Sequence, residues 1–154
     1  MRLIHAIITL VVIVNICKIA ESKMTIEQIK NTLKPYKSKC LRVTGADPEL
    51  VEGTKTGAWP KDRTLMCFTK CIYNMMKVIK NDDISLKAVF SQIDLMVPDE
   101  YVAQMKEIVE KCLEMANSKA TDLCDKTWLL SKCFYEADSS VRIELYSGNV
   151  YALK

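Results

Sequence analysis

Residues 63–79 of this chain read RTLMCFTKCIYNMMKVI, and the pattern in this segment predicts its fold. The apolar side chains recur every three or four residues, which is the spacing of one face of an α-helix. Cys67 and Cys71 are four residues apart, so their thiols project from the same side of that helix. They cannot usefully bond each other there. The segment therefore predicts a helix, opening at Asp62 and running to about Ile79, that is joined covalently to two other elements.

Helical spacing of apolar residues continues on both sides of this segment, from about Ile26 to Ala137. It predicts an all-α fold with six helices, because each stretch carries one apolar face and one charged face. Helix-start signals support the later boundaries, since Ser, Thr and Asp cap helices and Pro favours the first helical position. These signals are Asp47-Pro48, Asp62, Ser85, Pro98-Asp99 and Thr121 or Asp122.

The pattern changes after Ala137, where Val141, Ile143 and Leu145 alternate with polar residues. Alternation is typical of extended chain, so residues 138–154 form either a small hairpin or an extended tail laid over the helices. We favour the tail, because a lone hairpin is marginally stable.

The N-terminus has the features of a secretory signal peptide. Arg2 precedes an apolar run from Ala6 to Cys17, and small residues stand near Ser22. A transmembrane anchor is the alternative, but this run is shorter than the roughly 20 apolar residues that span a bilayer. We therefore expect residues 1–22 to be removed and residues 23–154 to form a single domain, secreted into the extracellular space.

The expected mature chain has 132 residues, a net charge of +2 and no histidine, since His5 lies in the signal peptide. Without a basic block, neither nucleic acid nor an anionic membrane is an expected partner. Without histidine, Ser-His-Asp catalysis, Cys-His catalysis and histidine zinc sites are excluded. We therefore predict no catalytic residues, no metal site, no cofactor and no enzymatic activity.

Six cysteines remain after residue 22, an even number that indicates a disulfide framework in a secreted chain. Six cysteines allow fifteen pairings, and spacing alone does not choose among them. One interpretation is that the bridges only stabilise a solid secreted bundle, such as a cytokine. The cysteines, spaced C-x26-C-x3-C-x40-C-x11-C-x8-C, are Cys40, Cys67, Cys71, Cys112, Cys124 and Cys133.

The order of these cysteines, the x3 and x8 gaps and the six-helix pattern resemble the insect pheromone/general odorant-binding protein family. The resemblance implies a disulfide-stapled bundle that encloses an apolar cavity, with the pairs Cys40–Cys71, Cys67–Cys124 and Cys112–Cys133. An empty cavity destabilises a protein by about 24 cal/mol per Å³. Each disulfide contributes about 3 to 4 kcal/mol. Cross-links can therefore offset the cost of a hollow interior without filling it.

Candidate ligand contacts come from the apolar stripes and, for some, from the resemblance. In the family the residue directly after the sixth cysteine often faces the ligand. The residues two positions after the second and the third cysteine tend to line the cavity. Here these are Phe134, Thr69 and Tyr73. The full candidate set is Phe68, Thr69, Ile72, Tyr73, Met76, Phe90, Val109, Trp128, Phe134 and, in the tail, Tyr151.

The resemblance implies a secreted carrier of odorants or pheromones that takes a small apolar molecule through aqueous fluid, such as the lymph around olfactory neurons. Its expected partners are that ligand and, at delivery, an olfactory receptor or membrane, with the carrier a monomer or weak homodimer. The alternative is a salivary or haemolymph scavenger of lipophilic or amine ligands, for which buried acidic residues in the pocket would be diagnostic. A phospholipase would need a histidine base, and saposin-like proteins open with a CxxC pair that is absent here.

Overall fold

The computed structural model describes residues 26–137 of the chain, together with residues 2, 4, 5 and 7. The expected tail, residues 138–154, and most of the expected signal peptide lie outside the described residues. Between residues 26 and 137 the chain forms six α-helices, as the sequence predicts. Their bounds are α1 Ile26–Thr44, α2 Pro48–Gly53, α3 Arg63–Met75, α4 Leu86–Met96, α5 Asp99–Lys119 and α6 Leu123–Ala137.

Side-chain caps fix the starts of four helices where the sequence predicts them. The Asp62 carboxylate accepts a hydrogen bond from Leu65 N at 2.9 Å, which satisfies an amide that the first turn of α3 leaves free. At α6 the cap is Asp122, the second of the two expected residues, which accepts from Asp125 N at 3.0 Å. Asp47 caps α2 and Ser85 caps α4 in the same way.

The end of α3 differs from the prediction. The helix stops at Met75, and the chain reverses through Lys77, whose φ of 62° is left-handed. A short antiparallel hairpin follows, with β1 Ile79–Lys80 paired to β2 Asp83–Ile84. Its two turn residues, Asn81 and Asp82, are also left-handed, as a type I′ turn requires. The expectation of a helix to about Ile79 is therefore wrong.

Three disulfides connect the helices. Cys40–Cys71 joins α1 to α3, Cys67–Cys124 joins α3 to α6, and Cys112–Cys133 joins α5 to α6. The Cα–Cα distances are 5.7, 4.6 and 5.6 Å, within the range that a disulfide needs. These are the three pairs that the family resemblance implies. Helix α4 carries no cysteine and packs mainly on α5.

The buried side chains form three clusters. The first surrounds Trp128 and the cysteines of α1, α3 and α6. The second lies around Leu113 and Leu130, beside the Cys112–Cys133 disulfide. The third, between α4 and α5, contains Ile93 and Val109 but no cysteine. No helix within the described part of the chain is long and apolar enough to cross a membrane.

Candidate ligand cavity

A cavity of about 380 Å³ lies among the helices, within the volume range of sites for small organic molecules. Helix α3 contributes the largest share of its wall, and α4, α5 and α6 close it from other sides. The wall consists of Ile29, Leu33, Thr54, Trp59, Leu65, Phe68, Thr69, Ile72, Tyr73, Met76, Val78, Val89, Gln92, Ile93, Met96, Val97, Met105, Val109, Leu130, Ser131 and Phe134.

The two cysteines of helix α3 lie on the side of the helix away from the cavity. Leu65, Thr69 and Ile72 lie on one side of this helix and line the cavity. Because an α-helix turns about 100° per residue, Cys67 and Cys71 lie on roughly the opposite side. The Cys40–Cys71 and Cys67–Cys124 disulfides therefore hold α3 on the side opposite these wall residues.

No side chain on the described wall carries a charge at neutral pH. Tyr73 is the ionisable residue there, and burial raises the pKa of its phenol, although its hydrogen bond with Ser131 opposes the shift. The Tyr73 and Ser131 hydroxyls lie 3.2 Å apart. A cavity with apolar walls and neutral hydroxyls suits an uncharged apolar molecule, because an unpaired ion would lose its hydration there.

Polar atoms on the α3 side of the wall have partners in the protein. The Thr69 hydroxyl donates to the Met66 carbonyl oxygen at 2.6 Å and lies 3.0 Å from the Thr127 hydroxyl on α6. Thr127 also reaches the carbonyl oxygens of Leu123 and Cys124. Each hydroxyl has one hydrogen. Because Thr69 donates to Met66, the Thr127 hydrogen goes either to Thr69 or to these carbonyl oxygens, and both donors have an acceptor in the protein.

The loop between α2 and α3 closes part of the cavity with Thr54 and Trp59. Gly57 has a φ of 95°, which other residues rarely adopt. A Cβ at Gly57 would stand 3.2 Å from the Tyr135 ring, so glycine lets this loop approach α6 closely. The Trp59 and Tyr135 ring centroids are 6.0 Å apart and inclined by 53°. Contact with Tyr135 therefore helps to fix Trp59 against the bundle.

Most of the candidate residues from the sequence come together in the wall: Phe68, Thr69, Ile72, Tyr73, Met76, Val109 and Phe134. Phe90 and Trp128 do not line this cavity. Trp128 is 5% exposed and packs in the first cluster, and Phe90 packs beside the third cluster with the Lys106 ammonium 5.3 Å from its ring centroid. Tyr151 lies outside the described residues. Helical periodicity predicts burial for Phe90 and Trp128, but it does not tell which buried side chain borders a void.

The sequence did not single out Trp59 as a wall residue. It lies in a loop, where no periodicity indicates which way a side chain faces. Its neighbours Gly57 and Pro60 predict a loop, and the contact with Tyr135 depends on tertiary structure. Within the described residues, no group of three or more His, Cys, Asp or Glu side chains is arranged to hold a metal ion.

Comparison with known proteins gives a consistent result. The model of the PBP/GOBP family matches residues 22–137. General odorant-binding protein 72 of Anopheles gambiae is 23% identical over 113 residues, 73% of this chain and 93% of that protein. General odorant-binding protein 19a of Drosophila melanogaster is 26% identical over 116 residues, 74% and 80% of the two chains. The structure of Apis mellifera odorant binding protein 5 superposes with a TM-score of 0.67 and 28% identity, covering 76% and 94%.

Proposed function

The chain belongs to the PBP/GOBP family, and from this membership and the cavity we propose that it is a secreted carrier of small, uncharged, apolar molecules. The ligand is taken into the cavity between α3, α4, α5 and α6, carried through aqueous extracellular fluid and released. The proteins that this chain resembles are odorant-binding proteins, so odorants and pheromones are the proposed ligand class.

The cavity wall is the observation that carries this proposal. It is built almost wholly of aliphatic, aromatic and methionine side chains, and none of its described members is charged. Burial of apolar ligand surface stabilises the complex by about 25 cal/mol per Å² before the cost of association is subtracted. Methionines Met76, Met96 and Met105 have flexible side chains that adapt to different shapes. Such a wall supports binding through shape and hydrophobicity.

The same wall argues against an amine ligand, which is part of the alternative scavenger function. A protonated amine would need a buried carboxylate, and the described wall has none. The buried carboxylate of Asp125 is not part of this wall, and its Oδ2 accepts from the Thr121 amide and hydroxyl at the start of α6. We therefore propose a neutral ligand.

Displacement of N-phenyl-1-naphthylamine fluorescence by fatty alcohols, aldehydes, terpenoids and aromatics tests the proposal. Val109 lines the cavity, whereas Leu113, one turn further along α5, is equally buried in the second cluster. We expect Val109→Phe to lower the probe affinity by about tenfold or more, since the larger side chain occupies part of the cavity. Leu113→Phe should change the affinity of the folded protein by less than about threefold.

Native mass spectrometry of the same variants shows whether one ligand is bound per chain, and circular dichroism confirms that each variant is folded. Equal loss of affinity in the two variants, or no loss in Val109→Phe, would contradict binding in this cavity.

A further inference from the structure

We propose that Gln92 on α4 binds the polar group of the ligand at the rim of the cavity, and that the preferred ligand is a long apolar alcohol whose hydroxyl group exchanges hydrogen bonds with the Gln92 side-chain amide. The inference rests on the proposed function, because it concerns how the same cavity selects and orients apolar molecules.

Helix α4 places Gln92 on the border between the cavity and solvent. Four of its residues line the cavity at the spacing of one helix face: Val89, Gln92, Ile93 and Met96. Because successive residues are about 100° apart around a helix, Gln92 and Ile93 form the two edges of this stripe. Ile93 is 6% exposed and packs toward α5, whereas Leu95, further around the helix beyond Gln92, is 63% exposed. The Gln92 edge therefore lies at the rim of the cavity.

The Gln92 amide is free to bind a ligand. It forms no hydrogen bond among the residues that the structure describes. The described side-chain atoms that are buried without a partner are Trp59 Nε1, Trp128 Nε1 and Asp125 Oδ1, so both amide atoms of Gln92 keep accessible surface. The side chain as a whole is half-buried. An amide in this position meets either water or a polar group of the ligand.

The other polar side chains of the wall are already bonded or out of reach. The Thr54 and Thr69 hydroxyls donate to backbone carbonyl oxygens at 2.8 and 2.6 Å. The Trp59 Nε1 atom has almost no accessible surface. The Tyr73 and Ser131 hydroxyls bond each other, which leaves one hydroxyl hydrogen for the pair to donate. That pair is the competing position for the polar group of a ligand.

The chemistry of the amide selects an alcohol. A glutamine side chain accepts hydrogen bonds through Oε1 and donates them through Nε2. Water and an alcohol both donate and accept, so an alcohol can replace water at Gln92 without the loss of a hydrogen bond. An ether or a ketone only accepts, which leaves Oε1 without a donor, and an alkane bonds neither atom. We therefore expect an alcohol to bind more tightly than an ether or an alkane of the same size.

The position of the amide also sets the orientation of the ligand. A hydroxyl group that is buried among apolar side chains without a partner costs free energy, whereas a hydroxyl group at the rim stays hydrogen-bonded. Beyond the other edge of the α4 stripe, the cavity is lined by the apolar third cluster, which consists of Ile93, Val97, Met105 and Val109. The alkyl chain of the ligand therefore lies against this cluster, with the hydroxyl group at Gln92.

The test compares undecan-1-ol, decyl methyl ether and n-dodecane, which have the same number of non-hydrogen atoms. Affinities are measured by displacement of N-phenyl-1-naphthylamine, after the probe affinity of each variant has been determined. Gln92→Leu keeps the approximate size of the side chain and removes both hydrogen-bonding atoms. We expect it to weaken undecan-1-ol binding about fivefold, the effect of one hydrogen bond at a partly hydrated site, and to change n-dodecane binding by less than about twofold.

Two further variants separate the hydrogen-bonding roles of the amide from a general effect on α4. In Gln92→Glu the carboxylate accepts hydrogen bonds but does not donate them, so the affinity ratio of alcohol to ether should rise. Ser91 is the matched control, because it is exposed, does not line the cavity and donates to the Lys87 carbonyl oxygen at 3.0 Å. Ser91→Ala should leave the ratio of alcohol to n-dodecane affinity unchanged.

A crystal structure of the complex with undecan-1-ol gives an independent measurement on the unmodified sequence. The hydroxyl oxygen should lie about 3 Å from an amide atom of Gln92. A hydroxyl group beside Tyr73 and Ser131, or loss of the alcohol preference in Tyr73→Phe in place of Gln92→Leu, would overturn the assignment while leaving the carrier function intact. Failure of every apolar molecule to displace the probe would contradict the carrier function itself.

Discussion

The two sides of α3 face different interiors. On one side, called the filled side here, Cys67 and Cys71 form disulfides with Cys124 of α6 and Cys40 of α1. On the other side the helix borders a cavity that it shares with α4 and α5. The cysteine-free third cluster supplies much of the opposite wall. Two of the three disulfides therefore join α3 to its neighbours on the side away from the cavity, and they leave the cavity side, called the hollow side here, free to bind a ligand.

The physical reason is that a cavity and a disulfide act on different states. A cavity weakens the folded state, because its wall lacks packing partners. A disulfide acts largely on the unfolded chain by restricting its conformations. A link placed in the filled region can therefore stabilise the whole bundle, including the part that contains the cavity. Four predictions concern the stability of the filled side, of the cavity wall and of the segments beside the cavity.

The largest effect should come from removing a disulfide on the filled side. Cys67–Cys124 closes a loop with a sequence separation of 57, and Cys112–Cys133 one of 21. Replacing both members by Ala should lower the free energy of unfolding by about 4 kcal/mol for the first pair and about 3 kcal/mol for the second.

Urea denaturation of the two double variants measures this difference. Mass spectrometry after thiol alkylation confirms that the remaining two disulfides are formed. An equal or reversed order of the two losses would show that strain or residual structure, rather than loop length, controls their contributions.

Truncation of side chains should cost more in the filled region than on the wall. Leu113 and Ile93 are 7% and 6% exposed, but only Ile93 lines the cavity. Leu113→Ala creates a new void and should cost about 3 to 4 kcal/mol. Ile93→Ala enlarges an existing void, and part of its side chain already lacks neighbours, so we expect about 2 kcal/mol.

Urea denaturation without ligand, repeated with saturating ligand, checks this pair. Saturating ligand should reduce the loss in Ile93→Ala if the ligand fills the enlarged space, and should leave the difference between Leu113→Ala and the unmodified protein unchanged. Similar losses in the two variants would mean that the wall is packed as tightly as the core.

The sequence predicts the filled side of the molecule better than the hollow side. Apolar periodicity and the caps Asp62 and Ser85 predict the helices, because both signals are local in sequence. Periodicity also marks Trp128 and Phe134 equally as buried, yet only Phe134 borders the cavity. Whether a buried face meets a side chain or a void depends on how separate helices pack, and a single sequence does not encode that locally.

Backbone reversals are the second feature that the sequence predicts poorly. The hairpin after Met75 follows from left-handed conformations at Lys77, Asn81 and Asp82, of which only the Asn-Asp pair leaves a sequence signal. The place of Trp59 in the cavity wall depends on the close approach of Gly57 to Tyr135, which the sequence does not predict. The hairpin pairs neighbouring residues, whereas the position of Trp59 depends on contact between segments that are far apart in the chain.

A pair of glycines separates backbone strain from close packing at the loop that carries Trp59. Gly45 and Gly57 both have positive φ, but a Cβ at Gly45 meets no atom within 4 Å, whereas one at Gly57 meets Tyr135. Gly45→Ala should cost about 1 kcal/mol from strain alone. Gly57→Ala should cost about 2 kcal/mol, with the excess over Gly45→Ala arising at the Tyr135 ring.

Thermal unfolding measures the two costs, and the affinity for N-phenyl-1-naphthylamine provides a second readout. Only Gly57→Ala should reduce the probe affinity, because displacement of the loop moves Thr54 and Trp59, which line the cavity. An unchanged probe affinity in Gly57→Ala would mean that the loop accommodates the methyl group without moving Trp59.

The smallest effect concerns pH. A hydrogen bond from Lys126 is the main cause that lowers the pKa of Asp83, and the backbone amide of Asp125 does the same for Asp122. A carboxyl group whose pKa is lower in the folded protein stabilises the fold above its unfolded pKa of about 3.9. That contribution is lost as the pH falls through the folded pKa. The sole histidine, His5, lies in the expected signal peptide.

We therefore expect the melting temperature and the probe affinity to be nearly constant between pH 7 and 5 and to fall only below about pH 4. Asp83→Asn should cost less than about 1 kcal/mol at pH 7, since the ion pair is exposed, and should make the acid loss shallower. Lys126 joins the hairpin to α6 through this pair, and Val78 beside the hairpin lines the cavity. A steep loss of affinity between pH 7 and 5 would contradict this account, because none of these aspartates titrates in that interval.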